Sequence, residues 1–262
     1  MLLFYVATLV MLMVAAPIGA GFPGEWPKIM TGLITAIAGC LLTVIFVRWD
    51  KSRLVEVGAA LTSGSVVRLG AGFAVGAVMV AIQCMIVFSS GHVRWVSASD
   101  RKFTPVVLAL LAYLLLASRE ELAFHGYPLR RLQRFWGVWP AQIVVAIAFV
   151  LEHRVGGFNW TNALLGASIG SLLFGMASIA TRGLAVPIGI HAAWNFGQWV
   201  IGFRELPGLW RPIIEEGYTA HVNHALFAGY WIAFVAGITL FWRVHMIQTK
   251  REMSTSSSLA SA

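Results

Sequence analysis

Charged side chains are scarce in this chain of 262 residues, where Asp, Glu, Lys and Arg together make up 11%, against roughly 25% in water-soluble domains. That shortage, set beside 58% hydrophobic residues and a mean hydropathy of +0.78, excludes an ordinary soluble globule. Cysteine is almost missing. The two present, Cys40 and Cys84, lie in separate apolar runs, which excludes a disulfide framework and a Cys-type metal site and leaves packing as their role. No internal repeat is visible, and that counts against the paired halves of many transporters. Acidic residues are the scarcer sign, 11 against 19 Lys and Arg, for a formal net charge of +8. The cations sit mainly at the ends of apolar runs, where positive-inside bias and lipid headgroups account for them, so no nucleic-acid partner is implied.

What the chain has instead is membrane-length apolar sequence. A spanning helix needs about 20 mostly apolar residues. Such runs fall at Leu2–Gly21, Ile29–Val47, Leu69–Phe88, Thr104–Tyr127, Val138–His153, Asn162–Ala180, Leu184–Gly202 and Ala225–Val244. The fold class expected is therefore all-α, a polytopic bundle of about eight transmembrane helices. The first run has no basic stretch before it and is long for a signal peptide, so it reads as the first span. Residues 1–249 form one membrane domain with a motif-bearing core at 104–202, and residues 250–262, rich in Ser, read as a disordered tail. The segment Arg204–His224, with Pro207, Trp210 and Pro212, reads as interfacial. Connections after even-numbered spans carry about 11 cations and those on the opposite side about 7. Both termini are expected on the cytoplasmic side of a plasma (inner) membrane.

Against this background the ionisable residues inside apolar runs stand out, because they are expensive to bury and mark functional sites. Glu120 and Glu121 end the run Val106–Ala117, His153 closes another, and His191 and Asn195 lie one helical turn apart in a third. Glu120 and His153 are nearly equidistant from Trp136-Gly137, the expected turn between two antiparallel helices, which places them at the same depth if the chain stays broadly helical through Arg134. His191 lies on the order of 13 Å beyond Arg182 at the start of its own span, a matching depth. The spacing of His191 and Asn195 puts both on one helix face.

A carboxylate held in an apolar site can take a proton from water and return it to a leaving amine. A neighbouring His can orient the water, and a second His with an Asn can donate to the oxyanion formed at a carbonyl. Amide hydrolysis follows without a Ser or Cys nucleophile. Each residue also has a structural role open to it. Intramembrane His and Asn join helices by hydrogen bonds. Glu121 can pair with His125 four residues on, and Arg119 can neutralise one of the carboxylates. A metal is the chemical rival: Glu120, His153 and His191 would be a workable zinc set with an open water position, although no H-E-x-x-H is present. The reading adopted uses no cofactor and no metal. A transporter or immunity protein using the Glu/His cluster as a proton relay is the alternative from another class.

At these residues the chain resembles the CAAX protease and bacteriocin-processing (CPBP, or Abi) family of intramembrane proteases. Glu120-Glu121-Leu-Ala-Phe-His125 is similar to its E-E-x-x-x-R motif, Phe149-Val-Leu-Glu-His153 to F-x-x-x-H, and His191-Ala-Ala-Trp-Asn195 to H-x-x-x-N. The resemblance implies an eight-helix endopeptidase with Glu120 as general base, His153 assisting, His191 and Asn195 as the oxyanion site, and Glu121 in support. Its partners would be membrane lipid and a peptide or protein substrate, including substrates with a C-terminal lipid or membrane anchor. One departure is plain: His125 stands where the family has Arg, so its pairing with Glu121 becomes pH-dependent.

Overall fold

The computed structural model describes residues 1–23, 26–98, 103–204 and 208–260. Pro207 of the interfacial segment, the connector cations Arg101 and Lys102, and tail residues 261–262 lie outside these. Helices dominate: α1 (Leu2–Ala20), α2 (Trp26–Trp49), α3 (Ser65–Ser89), α4 (Phe103–Glu120), α5 (Tyr127–Trp136), α6 (Val138–Val155), α7 (Ser168–Thr181), α8 (Ala185–Val200) and α9 (Thr219–Ala260). The protein is a nearly all-α polytopic bundle.

Among the described residues six helical segments are long and apolar enough to cross a membrane: α1, α2, α3, α6, Asn162–Thr181 and Thr219–Ser256. The other two expected spans, α4 and α8, each carry a motif. α8 has only 16 residues, and α4 ends in charge at Arg119 and Glu120. α8 is placed by protein packing, whereas α4 buries its charged end and leaves Phe103, Val107 and Leu111 exposed.

α8 is held by α3. A Cβ on Gly76 would lie 2.6 Å from the Ile190 carbonyl oxygen, and one on Gly72 or Gly189 would overlap the facing backbone. Small residues let two helix backbones approach this closely in a bilayer. Gly72 and Gly76 are four apart, so they line one stripe of α3. Gly166, by contrast, faces open space.

Three local features differ from the sequence expectations. The helix carrying Glu120 does not run on through Arg134. It passes into a π-helical turn, Glu121–His125, closed by the Gly126 N–H donating to the Glu121 carbonyl at 2.9 Å. Backbone φ −82° and ψ −115° at Gly126 then break the direction, and Pro128, lacking an N–H, suits only the first turn of the next helix. α5 is thus a separate amphipathic helix. Second, β1 (Val93–Ser97) pairs antiparallel with β2 (Trp210–Ile214), in register Val93 with Ile214. These short strands add a two-stranded sheet beside α9, through Val87, Val93 and Val222, that helical periodicity cannot announce. Third, α9 carries helix through residues 250–260, where composition suggested a disordered tail. Ser and Thr there return hydrogen bonds to carbonyls three and four residues back, as Thr255 does to Arg251.

Candidate active site

The π turn sets the site. One extra residue in that turn leaves both Glu120 and Glu121 facing protein, and each is almost wholly buried. Such bulges recur at functional positions because they re-aim consecutive side chains.

Glu121 is shared by two imidazoles. His125 Nδ1 lies 2.7 Å from its Oε2 and His191 Nδ1 lies 2.8 Å from its Oε1. Both Nδ1 atoms therefore carry hydrogen and donate. Ser171 Oγ is 3.1 Å from His125 Nε2, and Ser178 Oγ donates to the His125 carbonyl at 3.1 Å. Two buried serines, seven apart on one face of α7, thus brace the turn. His125 occupies the position expected of the family's arginine and keeps the contact with the second glutamate.

Glu120 is held differently. Its Oε1 accepts from Arg119 Nη2 at 2.8 Å, and the other end of that guanidinium donates to Glu152 of α6. Its Oε2 is buried, has no hydrogen-bond partner, and sits 3.6 Å from His191 Nε2. A buried carboxylate oxygen without a donor is costly. It faces a cavity of about 600 Å³ lined also by His153, His191, Asn195, Trp194 and Arg204.

His153 and Asn195 complete the wall. His153 Nδ1 donates to the Phe149 carbonyl at 2.9 Å, and its ring lies between Phe149 and Phe158. Its Nε2 is left for the cavity. Asn195 Oδ1 accepts from Arg204 Nη1 at 2.7 Å, so the two N–H groups of its amide are available as donors. Phe174 stacks on His191 at 4.3 Å and fixes that ring's plane. The structure therefore brings Glu120, His153, His191 and Asn195 to one cavity, with Glu121 and His125 behind it.

Arg204, Glu152, Ser171, Gln83 and Gln198 were not singled out from sequence. Glu152 carried a usable signal, an acid beside His153 within an apolar run. Gln83 in α3 did as well, and it accepts from Gln198 of α8 at 2.5 Å in the same cavity. Arg204 had none: it looks like any cation at a span end. Among the described residues no three His, Cys, Asp or Glu are arranged to hold a metal ion. Glu120 and His191 approach each other at 3.6 Å.

Two comparisons bear on this arrangement. No curated protein matches the chain. A family model described as type II CAAX prenyl endopeptidase, Rce1-like, matches residues 102–197, which runs from the start of α4 to just past Asn195 and contains all three motifs. Over this motif-bearing stretch the chain is similar to the Rce1-like type II CAAX prenyl endopeptidases.

Proposed function

We propose that this integral membrane protein hydrolyses a peptide bond within the bilayer by a glutamate-activated water. The observation that carries the reading is Glu120 Oε2, an unpartnered carboxylate oxygen in the wall of a 600 Å³ cavity, 3.6 Å from His191 Nε2. A water bound there loses a proton to Glu120 as it attacks the carbonyl carbon, and Glu120 returns that proton to the leaving amine. His153 Nε2 accepts from the same water and orients it. Asn195 donates its amide N–H to the carbonyl oxygen as that oxygen takes up charge. His191, its ring held by the Nδ1 bond to Glu121, stands beside Asn195 in the same cavity wall and completes that oxyanion site. No cofactor enters this scheme.

The substrate class is a peptide or protein reaching the cavity from the membrane, including chains with a C-terminal lipid or other anchor. Aromatic walls from Phe149, Phe158, Phe174, Trp194 and Phe227 suit apolar side chains. The cation excess at the end of the bundle bearing Arg130, Arg131 and Arg182 supports a cytoplasmic location for that end and for both termini, in a plasma (inner) membrane.

The test is cleavage of fluorogenic peptides, prenylated and unprenylated, by purified protein in nanodiscs, with Glu120→Gln and His191→Ala in parallel, with and without chelator. Cleavage lost in both variants and resistant to chelator supports the reading. Loss on chelation with recovery on zinc moves Glu120, His153 and His191 to metal ligands.

A second reading has one observation in its favour. Ser171, His125, Glu121 and His191 form a buried hydrogen-bonded chain whose last imidazole lies 3.6 Å from Glu120 Oε2, an arrangement suited to a proton relay. Proton flux into proteoliposomes without peptide cleavage would select it.

A further inference from the structure

α5 is poised like an interfacial helix. It buries Leu129 and Leu132, leaves Phe135 and Trp136 exposed, and presents Arg130, Arg131 and Arg134 on its other faces. Three of the four cations around it have carboxylate partners. Arg131 Nε is 3.0 Å from Asp50, Arg134 Nη2 is 2.5 Å from Glu56, and Arg182 pairs with Glu252.

Arg130 does not. Its Nη2 donates to the Ser178 carbonyl at 2.6 Å and its Nη1 to Gln133 Oε1 at 3.2 Å, both neutral acceptors. Its Nε is buried without any partner. Arg134 lies four residues on, on the same helix face. Arg182 ends α7 four residues past the Ser178 that Arg130 grips, held in a left-handed conformation with φ 54°. Two further guanidinium groups are thus gathered around the one that lacks an anion. Burial, then the charges of Arg182 and Arg134, pull the Arg130 pKa down to about 10, the response of a cation whose charge is not locally balanced.

We propose that Arg130, with Arg134 and Arg182, binds a phosphate group, carried by the headgroup of an anionic membrane lipid or free in solution. A phosphate would supply the anion that Arg130 lacks, and planar guanidinium groups match phosphate geometry. Exposed Phe135, Trp136 and Trp139 beside it are the aromatic side chains that sit at headgroup level. The site is separate from the cavity holding Glu120 and does not depend on the protease reading.

The test uses the full chain in nanodiscs of phosphatidylcholine mixed with phosphatidylglycerol, reading co-purified lipid by mass spectrometry. Wild type should retain phosphatidylglycerol over phosphatidylcholine by roughly fivefold, and Arg130→Gln should bring that ratio close to one. Arg182→Gln, at an exposed position less able to disturb folding, should lower it in the same direction. Thermal protection of the detergent-solubilised protein by millimolar inorganic phosphate, lost in Arg130→Gln, would assign a free-phosphate site of the same chemistry. Equal retention of both lipids by wild type with no protection by phosphate overturns the proposal. So does a preference that survives in both variants.

Discussion

The N-terminal helix α1 and the motif-bearing helix α8 solve the membrane problem in opposite ways. α1 is apolar throughout and only 22% of its membrane-length window is buried in protein; Leu2, Val10 and Met13 point outward. α8 is too short to span on its own and hides His191, Asn195 and Gln198 against neighbours. α4 likewise ends in Arg119 and Glu120, both buried. Lipid-facing helices are replaceable in detail, because any apolar residue of similar size serves. Helices that bury polar groups are specified residue by residue, because each donor and acceptor needs its partner. Substitutions in the two classes should therefore differ in kind as well as in size.

The largest effect is expected at Glu120. Glu120→Gln keeps shape and burial but removes the base, and peptide cleavage should fall by about 10²–10⁴-fold with little change in thermal stability. Next comes the Arg119 clamp. Arg119→Met strands Glu120 and Glu152 as buried carboxylates without a counter-charge, a loss of roughly 3–5 kcal/mol. Adding Glu152→Leu should recover part of that, which a double-mutant cycle by chemical denaturation would detect. Gly76→Leu should cost about 1–3 kcal/mol through overpacking at the α3–α8 crossing, with cleavage lost because His191 and Asn195 move with α8. Leu3→Ala on the exposed face of α1 serves as the contrast and should shift stability by less than about 0.5 kcal/mol.

Much of this contrast was legible in the sequence. Apolar length alone announced α1, α2, α3 and α9, and ionisable residues inside apolar runs pointed to Glu120, His153, His191 and Asn195. The expected depth match between Glu120 and His153 has a visible counterpart, since their chain neighbours Arg119 and Glu152 are bonded to each other. The assumed route between them was different. A continuous helix through Arg134 was the simplest path, whereas the π turn is stabilised by tertiary partners, Ser171 and Ser178, that lie far along the chain and leave no local periodicity. Arg204 was illegible for a related reason: its role comes from meeting Asn195, which no spacing rule encodes. The small sheet depends on pairing between strands more than a hundred residues apart.

Two smaller effects sharpen the comparison at its edges. Arg204→Gln should lower kcat by roughly tenfold while changing KM less, because Asn195 loses the donor that fixes its amide orientation. Outside the membrane, hydrogen bonds from Arg134 and then Arg53 hold the Glu56 carboxyl below its usual 4.5. A depressed carboxylate contributes stability above its unfolded pKa and loses it as pH falls through the folded value. The wild-type melting temperature should therefore drop as pH is lowered below about 4.5, and Glu56→Gln should shallow that drop without touching activity at neutral pH.

The central claim is that Glu120 acts directly on water in the cavity. It is tested most directly by cleavage of a membrane-delivered fluorogenic peptide in nanodiscs by wild type and Glu120→Gln, each with and without chelator. Cleavage by wild type that resists chelator and vanishes in Glu120→Gln is the predicted result. Cleavage that persists in a correctly folded Glu120→Gln protein would contradict it.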